Sequence, residues 1–121
     1  MANLILIVED DQKTLRLLRD MLQAHGYRVT EATSGREAIE CATREKPDLI
    51  TMDLQLPVMN GLDATRAIKA NPATKSIPII AITASAMKGE DQIALEAGCD
   101  AYICKPFDIS TLLEKVKEYL P

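Results

Sequence analysis

Leu49-Ile50-Thr51-Met52-Asp53-Leu54-Gln55-Leu56-Pro57-Val58-Met59-Asn60-Gly61 is the stretch on which the reading of this chain turns. It opens as a short apolar run behind Pro47-Asp48, as a strand covered on both faces would. It reaches an acid, Asp53, and then loses the means to stay regular. Pro57 has no backbone N–H, and the Asn60-Gly61 pair favours positive φ. The expectation is a buried strand that delivers one carboxylate to a loop. An aspartate in that place either caps the following turn or serves as nucleophile or metal ligand, and the rest of the chain decides between these uses.

Outward from this stretch the same kind of run recurs. Leu4–Val8 is apolar without alternation, as is 77–82, with Thr83 at its end, and Ala101–Cys104 is a further strand. Arg28–Ala32 alternates, as an edge strand does. Helical patterns fill the gaps. Leu15, Leu18, Met21 and Leu22 recur at helical spacing and His25-Gly26 closes them. Ser34-Gly35-Arg36-Glu37 has the form of a capping box, followed by Ala38, Ile39 and Ala42 and stopped by Lys46-Pro47-Asp48. Residues 61–71 place Leu62, Thr65 and Ile68 on one side, and Asn71-Pro72 ends them. Residues 84–97 are thinly apolar, with Met87, Ile93 and Leu95 as their large side chains, and Gly98 closes them. Asp108 caps a last helix whose Leu112, Leu113, Val116 and Leu120 face inward. Strand then helix, repeated through the chain, predicts a single α/β domain over 1–121 with a parallel sheet covered on both faces. Sites in such sheets lie beyond the carboxyl ends of the strands, where strand order reverses.

Composition narrows the classes. At 121 residues, 47% hydrophobic and only 3% aromatic, the chain must build one core from Ile, Leu, Val, Ala and Met. No apolar run approaches the roughly 20 residues of a membrane span, and no basic segment precedes the first apolar residues as in a signal peptide. A net charge of −4 argues against direct nucleic-acid binding. Cys41, Cys99 and Cys104 do not form a disulfide framework, and His25 is the single histidine, so a zinc site is not expected. Three reduced thiols in a cytoplasmic protein are the expectation.

The carboxyl ends of the predicted strands carry Glu9-Asp10, Asp53, Thr83 and Lys105-Pro106. Each has an ordinary structural use alone: a solvated turn, a helix cap, a surface lysine. Jointly they put acids, a hydroxyl and an ammonium on one rim. Carboxylates held that close repel, and a hard divalent cation relieves the repulsion while keeping sites for phosphate oxygen. Thr83 and Lys105 suit the remaining phosphoryl oxygens, and Asp53 is then the nucleophile of a phosphoryl transfer. There is no glycine-rich phosphate loop, so a nucleotide is not the expected donor.

With these residues in view, the chain from Leu4 to Leu120 resembles the receiver domain of two-component response regulators, the CheY-like family. The resemblance rests on Val8-Glu9-Asp10, Met52-Asp53-Leu54-Gln55-Leu56-Pro57 through Gly61, Ile82-Thr83-Ala84 and Lys105-Pro106. Residues 84–89 with Ala97-Gly98-Cys99-Asp100 look more like DivK-type single-domain regulators and hybrid-kinase receivers. The resemblance implies a flavodoxin-like (βα)5 fold with strand order 2-1-3-4-5. It implies Asp53 as phosphoacceptor, and Mg2+ (or Mn2+) held by Glu9, Asp10, Asp53 and the backbone carbonyl of Gln55. It further implies Lys105 and Thr83 on the phosphoryl group, Tyr102 as switch aromatic, and a cis Lys105–Pro106 peptide. Glu9 stands where Asp is more frequent. Gln55 and Ser85 occupy variable positions that influence phosphoryl lifetime.

The function so implied is a signalling switch rather than a turnover enzyme. A sensor histidine kinase or histidine phosphotransfer protein donates the phosphoryl group. The face of the last two helices and the fifth strand then changes its affinity for a downstream protein, as a monomer or a weak phosphorylation-dependent dimer. A receiver cut from a hybrid kinase or larger regulator is the alternative; the initiating Met1 and the end at Leu120-Pro121 favour a free-standing regulator. An aspartate-nucleophile phosphatase would need a second acid two residues after Asp53, where Gln55 cannot transfer protons. A flavodoxin-like cofactor module is disfavoured because the loops lack Trp and a phosphate-cradling glycine run.

Overall fold

The computed structural model describes residues 2–56, 59–83 and 90–121. Five strands form one parallel sheet in the order β2-β1-β3-β4-β5. The strands are β1 Leu4–Val8, β2 Arg28–Ala32, β3 Leu49–Asp53, β4 Ile79–Thr83 and β5 Ala101–Cys104. The described helices are α1 Gln12–Ala24, α2 Gly35–Glu45, α3 Gly61–Ala70, α4 Glu90–Ala97 and α5 Ile109–Tyr119. Strand order reverses between β1 and β3, which opens a crevice above their carboxyl ends.

The runs without alternation are buried on both faces, because each strand residue points to one of two helical layers. Leu6, Val8, Ile50, Met52, Ile79 and Ala81 pack towards the layer that includes α2 and α3. Ile5, Ile7, Leu49, Ile80, Ile82 and Ile103 pack against α1 and α5. Leu15, Leu18, Met21 and Leu22 are the buried stripe of α1. Leu112, Leu113 and Val116 are that of α5, while Leu120 lies just past the helix, half-buried against the same core. No helix among the described residues is long and apolar enough to cross a membrane.

Side chains that start helices do so by satisfying orphan N–H groups. The Asp11 carboxylate accepts from Thr14 N (3.0 Å) and Thr14 Oγ1 (2.6 Å). Asp108 does the same for Thr111 N and Thr111 Oγ1, both at 2.8 Å. Ser34 Oγ accepts from Glu37 N (3.2 Å), but the returning Glu37 carboxylate takes the N–H of Thr33 (2.7 Å), one residue earlier than a capping box prescribes.

Two further expectations are corrected. The fourth strand starts at Ile79, not Ile77. Ile77 N is bonded to Thr74 O in a turn, Pro78 has no N–H, and Ile79 N is taken by the Asp100 carboxylate at 2.8 Å. Asn60 has φ −73 and caps α3, accepting from Asp63 N at 2.9 Å, so the Asn60-Gly61 pair is a helix start and not a left-handed turn. In α4 the buried side chains include Ala94 and Ala97, whereas Ile93 and Leu95 point outward, 45% and 44% exposed. The small alanines let that helix lie close to the sheet. Met87, and the helix start expected at 84–89, lie outside the described residues.

Candidate functional site

Glu9 follows the last residue of β1, and its N–H continues the ladder to Ala32 O (3.0 Å). Its side chain therefore starts from a fixed backbone at the crevice. It is buried, 1% exposed. One carboxylate oxygen accepts from Asp11 N (3.1 Å), the other from Lys105 Nζ (3.4 Å). Asp53 ends β3 and is also buried. Its Oδ1 accepts from Gln55 N at 2.9 Å, which orients the carboxylate at the mouth of the loop. Leu54 N holds Ile82 O at 3.1 Å, tying this loop to β4. Asp10 is exposed at the crevice rim.

Ligand oxygens of Glu9, Asp10 and Asp53 all lie within 4.8 Å of one another. The pKa of Glu9 is pushed up from 4.5 to about 7. Burial is the main cause, and hydrogen bonding to Asp53 adds to it; the Asp11 N–H and Lys105 pull the other way. A buried carboxyl with a raised pKa beside two further acids is the environment a hard cation with oxygen ligands would complete. The donor set fits Mg2+.

Gly61 owes its place here to space rather than to φ. A Cβ at Gly61 would collide with the Asp53 carbonyl oxygen and come within 2.8 Å of Leu54 Cα. Gly61 N also donates to Leu54 O (3.3 Å), so the start of α3 is packed onto the backbone that carries the carboxylate.

Thr83 ends β4, 1% exposed, and its Oγ1 donates to Cys104 Sγ at 3.3 Å. Lys105 follows β5. Its N–H donates to Thr83 O (2.8 Å), and its ammonium crosses to Glu9 rather than resting on Asp53. The Lys105–Pro106 peptide is cis. Tyr102 lies on β5 with 37% of its surface exposed. The Gln55 side chain is exposed, and Ser85 is outside the described residues. Glu9, Asp10, Asp53 and Lys105 thus converge, while Thr83 is turned towards β5. Sequence reasoning offered the acids after β1 as a helix cap, which Asp11 is, but missed the N–H that Asp11 gives to Glu9, and Cys104, the acceptor for Thr83. The signal for Cys104 was its place beside Lys105.

The cysteines form no disulfide among the described residues; Cys41 and Cys99 are buried and Cys104 partly so. The His25 ring nitrogen lies 3.0 Å from Met21 O at the end of α1, far in chain position from the acids.

Comparison with known proteins agrees with this geometry. Residues 5–117 match the model of the response regulator receiver domain. The polar-differentiation response regulator DivK of Brucella abortus (strain 2308) is 42% identical over 120 residues, covering 99% of this chain and 98% of that protein. The receiver domain of sensor histidine kinase PA1611 from Pseudomonas aeruginosa PAO1, solved with a magnesium ion in its active site cleft, superposes with a TM-score of 0.92 at 38% identity. That match covers 99% of this chain and 98% of the other. Vibrio cholerae chemotaxis protein CheY4 gives a TM-score of 0.92 at 28% identity, with coverage of 98% and 99%. The chain therefore belongs to the response regulator receiver family and has its CheY-like fold.

Proposed function

We propose that this receiver is a phosphorylation-operated switch in which Asp53 is the acceptor. The observation that carries the reading is the packing of Glu9, Asp10 and Asp53 ligand oxygens within 4.8 Å on a rim that Lys105 also reaches, 3.4 Å from Glu9. The donor is a phosphohistidine on a sensor histidine kinase or a histidine phosphotransfer protein. An Asp53 carboxylate oxygen attacks phosphorus, the P–N bond to the imidazole breaks, and the leaving imidazole takes a proton. The products are an acyl phosphate on Asp53 and a neutral histidine.

Glu9, Asp10, Asp53 and the Gln55 carbonyl would hold Mg2+ or Mn2+. Such a cation supplies charge neutralisation for the transferring phosphoryl group. The Asp53 carboxylate is already oriented by Gln55 N, so little ordering is left for the transfer itself. Lys105 exchanges its contact with Glu9 for a phosphoryl oxygen. Thr83 turns to another, and Tyr102 follows into the space released. The surface of α4, β5 and α5 then presents a different arrangement of Leu95 and Tyr102, both exposed, to a downstream protein.

Gln55 offers no proton-transfer group two residues from Asp53, which favours holding the phosphoryl group over releasing it. Intact-mass spectrometry after incubation with acetyl phosphate and Mg2+ tests the reading. One added phosphoryl mass on the wild type and none on Asp53→Asn is the expected outcome. An unmodified wild type, or equal modification of both proteins, overturns it.

A further inference from the structure

We infer that Cys104 is a positioning residue for Thr83, the acceptor that holds its hydroxyl on the β5 side until a phosphoryl group appears on Asp53. This rests on the reading of Asp53 as acceptor and deepens it. Thr83 and Cys104 are directly paired across β4 and β5, and the Thr83 hydroxyl donates to Cys104 Sγ at 3.3 Å. Asp53 is on the other side, paired with Ile82 across β3 and β4. Adjacent strands lie about 4.8 Å apart, so β3 and β5 are about 10 Å apart with β4 between them. A hydroxyl on the short threonine stem can serve one side at a time. Reaching Asp53 means rotating about Cα–Cβ and giving up the sulfur.

The chemistry of the acceptor suits a latch that must open. A thiol sulfur accepts weakly, whereas a phosphoryl oxygen is charged and accepts strongly. Sulfur keeps Thr83 in place while Asp53 is bare and surrenders it when Asp53 is modified. An oxygen acceptor at 104 would hold Thr83 harder. Removing the acceptor would leave the hydroxyl with less to lose. Tyr102, two residues earlier on β5, shares the face of Cys104, so release of Thr83 opens space beside the strand position that the ring borders.

The test is the affinity of the full chain for beryllofluoride, which mimics the phosphoryl group on a carboxylate, measured by calorimetry at saturating Mg2+. Cys104→Val should tighten binding about threefold and Cys104→Ser should weaken it by a similar factor, the worth of one modest hydrogen bond. Both effects should vanish in a Thr83→Val background, because the contact then has no donor. A second measurement uses the metal-free protein. Three-bond couplings to the Thr83 methyl should show a redistributed χ1 in Cys104→Val and a sharpened one in Cys104→Ser.

Equal effects with and without the Thr83 hydroxyl, or Val and Ser shifting affinity in the same direction, would overturn the latch and leave the acceptor reading standing. A wild type that does not bind beryllofluoride at all would overturn both.

Discussion

Two lysine–carboxylate clusters sit at opposite ends of the sheet, and they are built to different ends. At the amino ends of β4 and β5, Lys69 Nζ donates to Ile77 O (2.7 Å), Lys75 O (3.2 Å) and the Asp100 carboxylate (3.0 Å). The same Asp100 oxygen accepts from Ile79 N. Every proton of the ammonium has a partner, and Gly98 at φ +113 lets the chain pass over the Lys69 stem. At the carboxyl ends, Lys105 has one acid at 3.4 Å while three acids crowd together and Glu9 is pushed up to about 7. The first cluster is saturated and holds two strands and a loop in place. The second is left short of positive charge, in the crevice where the sheet's order reverses. On the proposed function, the unrelieved charge is where a cation and a phosphoryl group would bind, and the satisfied charge is scaffolding.

Breaking the saturated cluster should cost the most. Lys69→Met takes the ammonium from two carbonyls and leaves the Asp100 carboxylate with Ile79 N but no cation, and should destabilise the fold by about 2 kcal/mol in urea denaturation, with or without Mg2+. A loss that Mg2+ restores would blur the distinction between the clusters.

The unsaturated cluster should instead respond to pH. The folded value of Glu9 lies above its ordinary 4.5, so the folded state binds this proton more tightly than the unfolded state does. The stabilisation is fully present below about 4.5 and is lost as pH rises through about 7. Metal-free protein should therefore melt at progressively lower temperature between pH 5 and pH 8 (a range of about 3 pH units), and Glu9→Gln should flatten that slope. Mg2+ competes with the same proton, so its affinity should be weaker at pH 5.5 than at pH 8, as read by calorimetry (about a 2.5-unit span). A slope that is unchanged in Glu9→Gln would place the titrating group elsewhere.

A smaller gain sharpens the comparison from beneath the site. Thr51 is fully buried on β3, two residues before Asp53, and its Oγ1 has no hydrogen-bond partner among the described residues. Thr51→Val keeps the shape and removes a stranded hydroxyl. It should stabilise the protein by about 1 kcal/mol in the same denaturation assay. Destabilisation would mean that the hydroxyl has a role in the strand below Asp53.

The layered sheet was legible because a continuous apolar run such as Leu4–Val8 has no polar face to give to water. The carboxyl-end rim was legible because strand–helix alternation fixes which end of every strand points the same way. What escaped depended on packing between distant segments. The start of β4 was misread since Ile77 and Pro78 are as apolar as the strand, and only the Ile77–Thr74 turn and the Asp100 cap on Ile79 N exclude them. The thin apolar content of α4 was legible, but not that alanines form its inner face while Ile93 and Leu95 point outward. Gly61 was read as a turn glycine, when its demand is steric and comes from the Asp53 carbonyl. That Lys105 rests on Glu9, and Thr83 on Cys104, are side-chain choices made across strands, which periodicity along one strand does not contain.

Unrelieved negative charge around Asp53 is the central claim, and paired chemical denaturation of the wild type and Asp53→Asn measures it most directly. In metal-free buffer at neutral pH the variant should have the higher midpoint, because one carboxylate has left the cluster. Mg2+ should raise the wild-type midpoint and leave that of the variant nearly unmoved. An equal or lower midpoint for Asp53→Asn without metal, together with the same response of both proteins to Mg2+, would contradict the account.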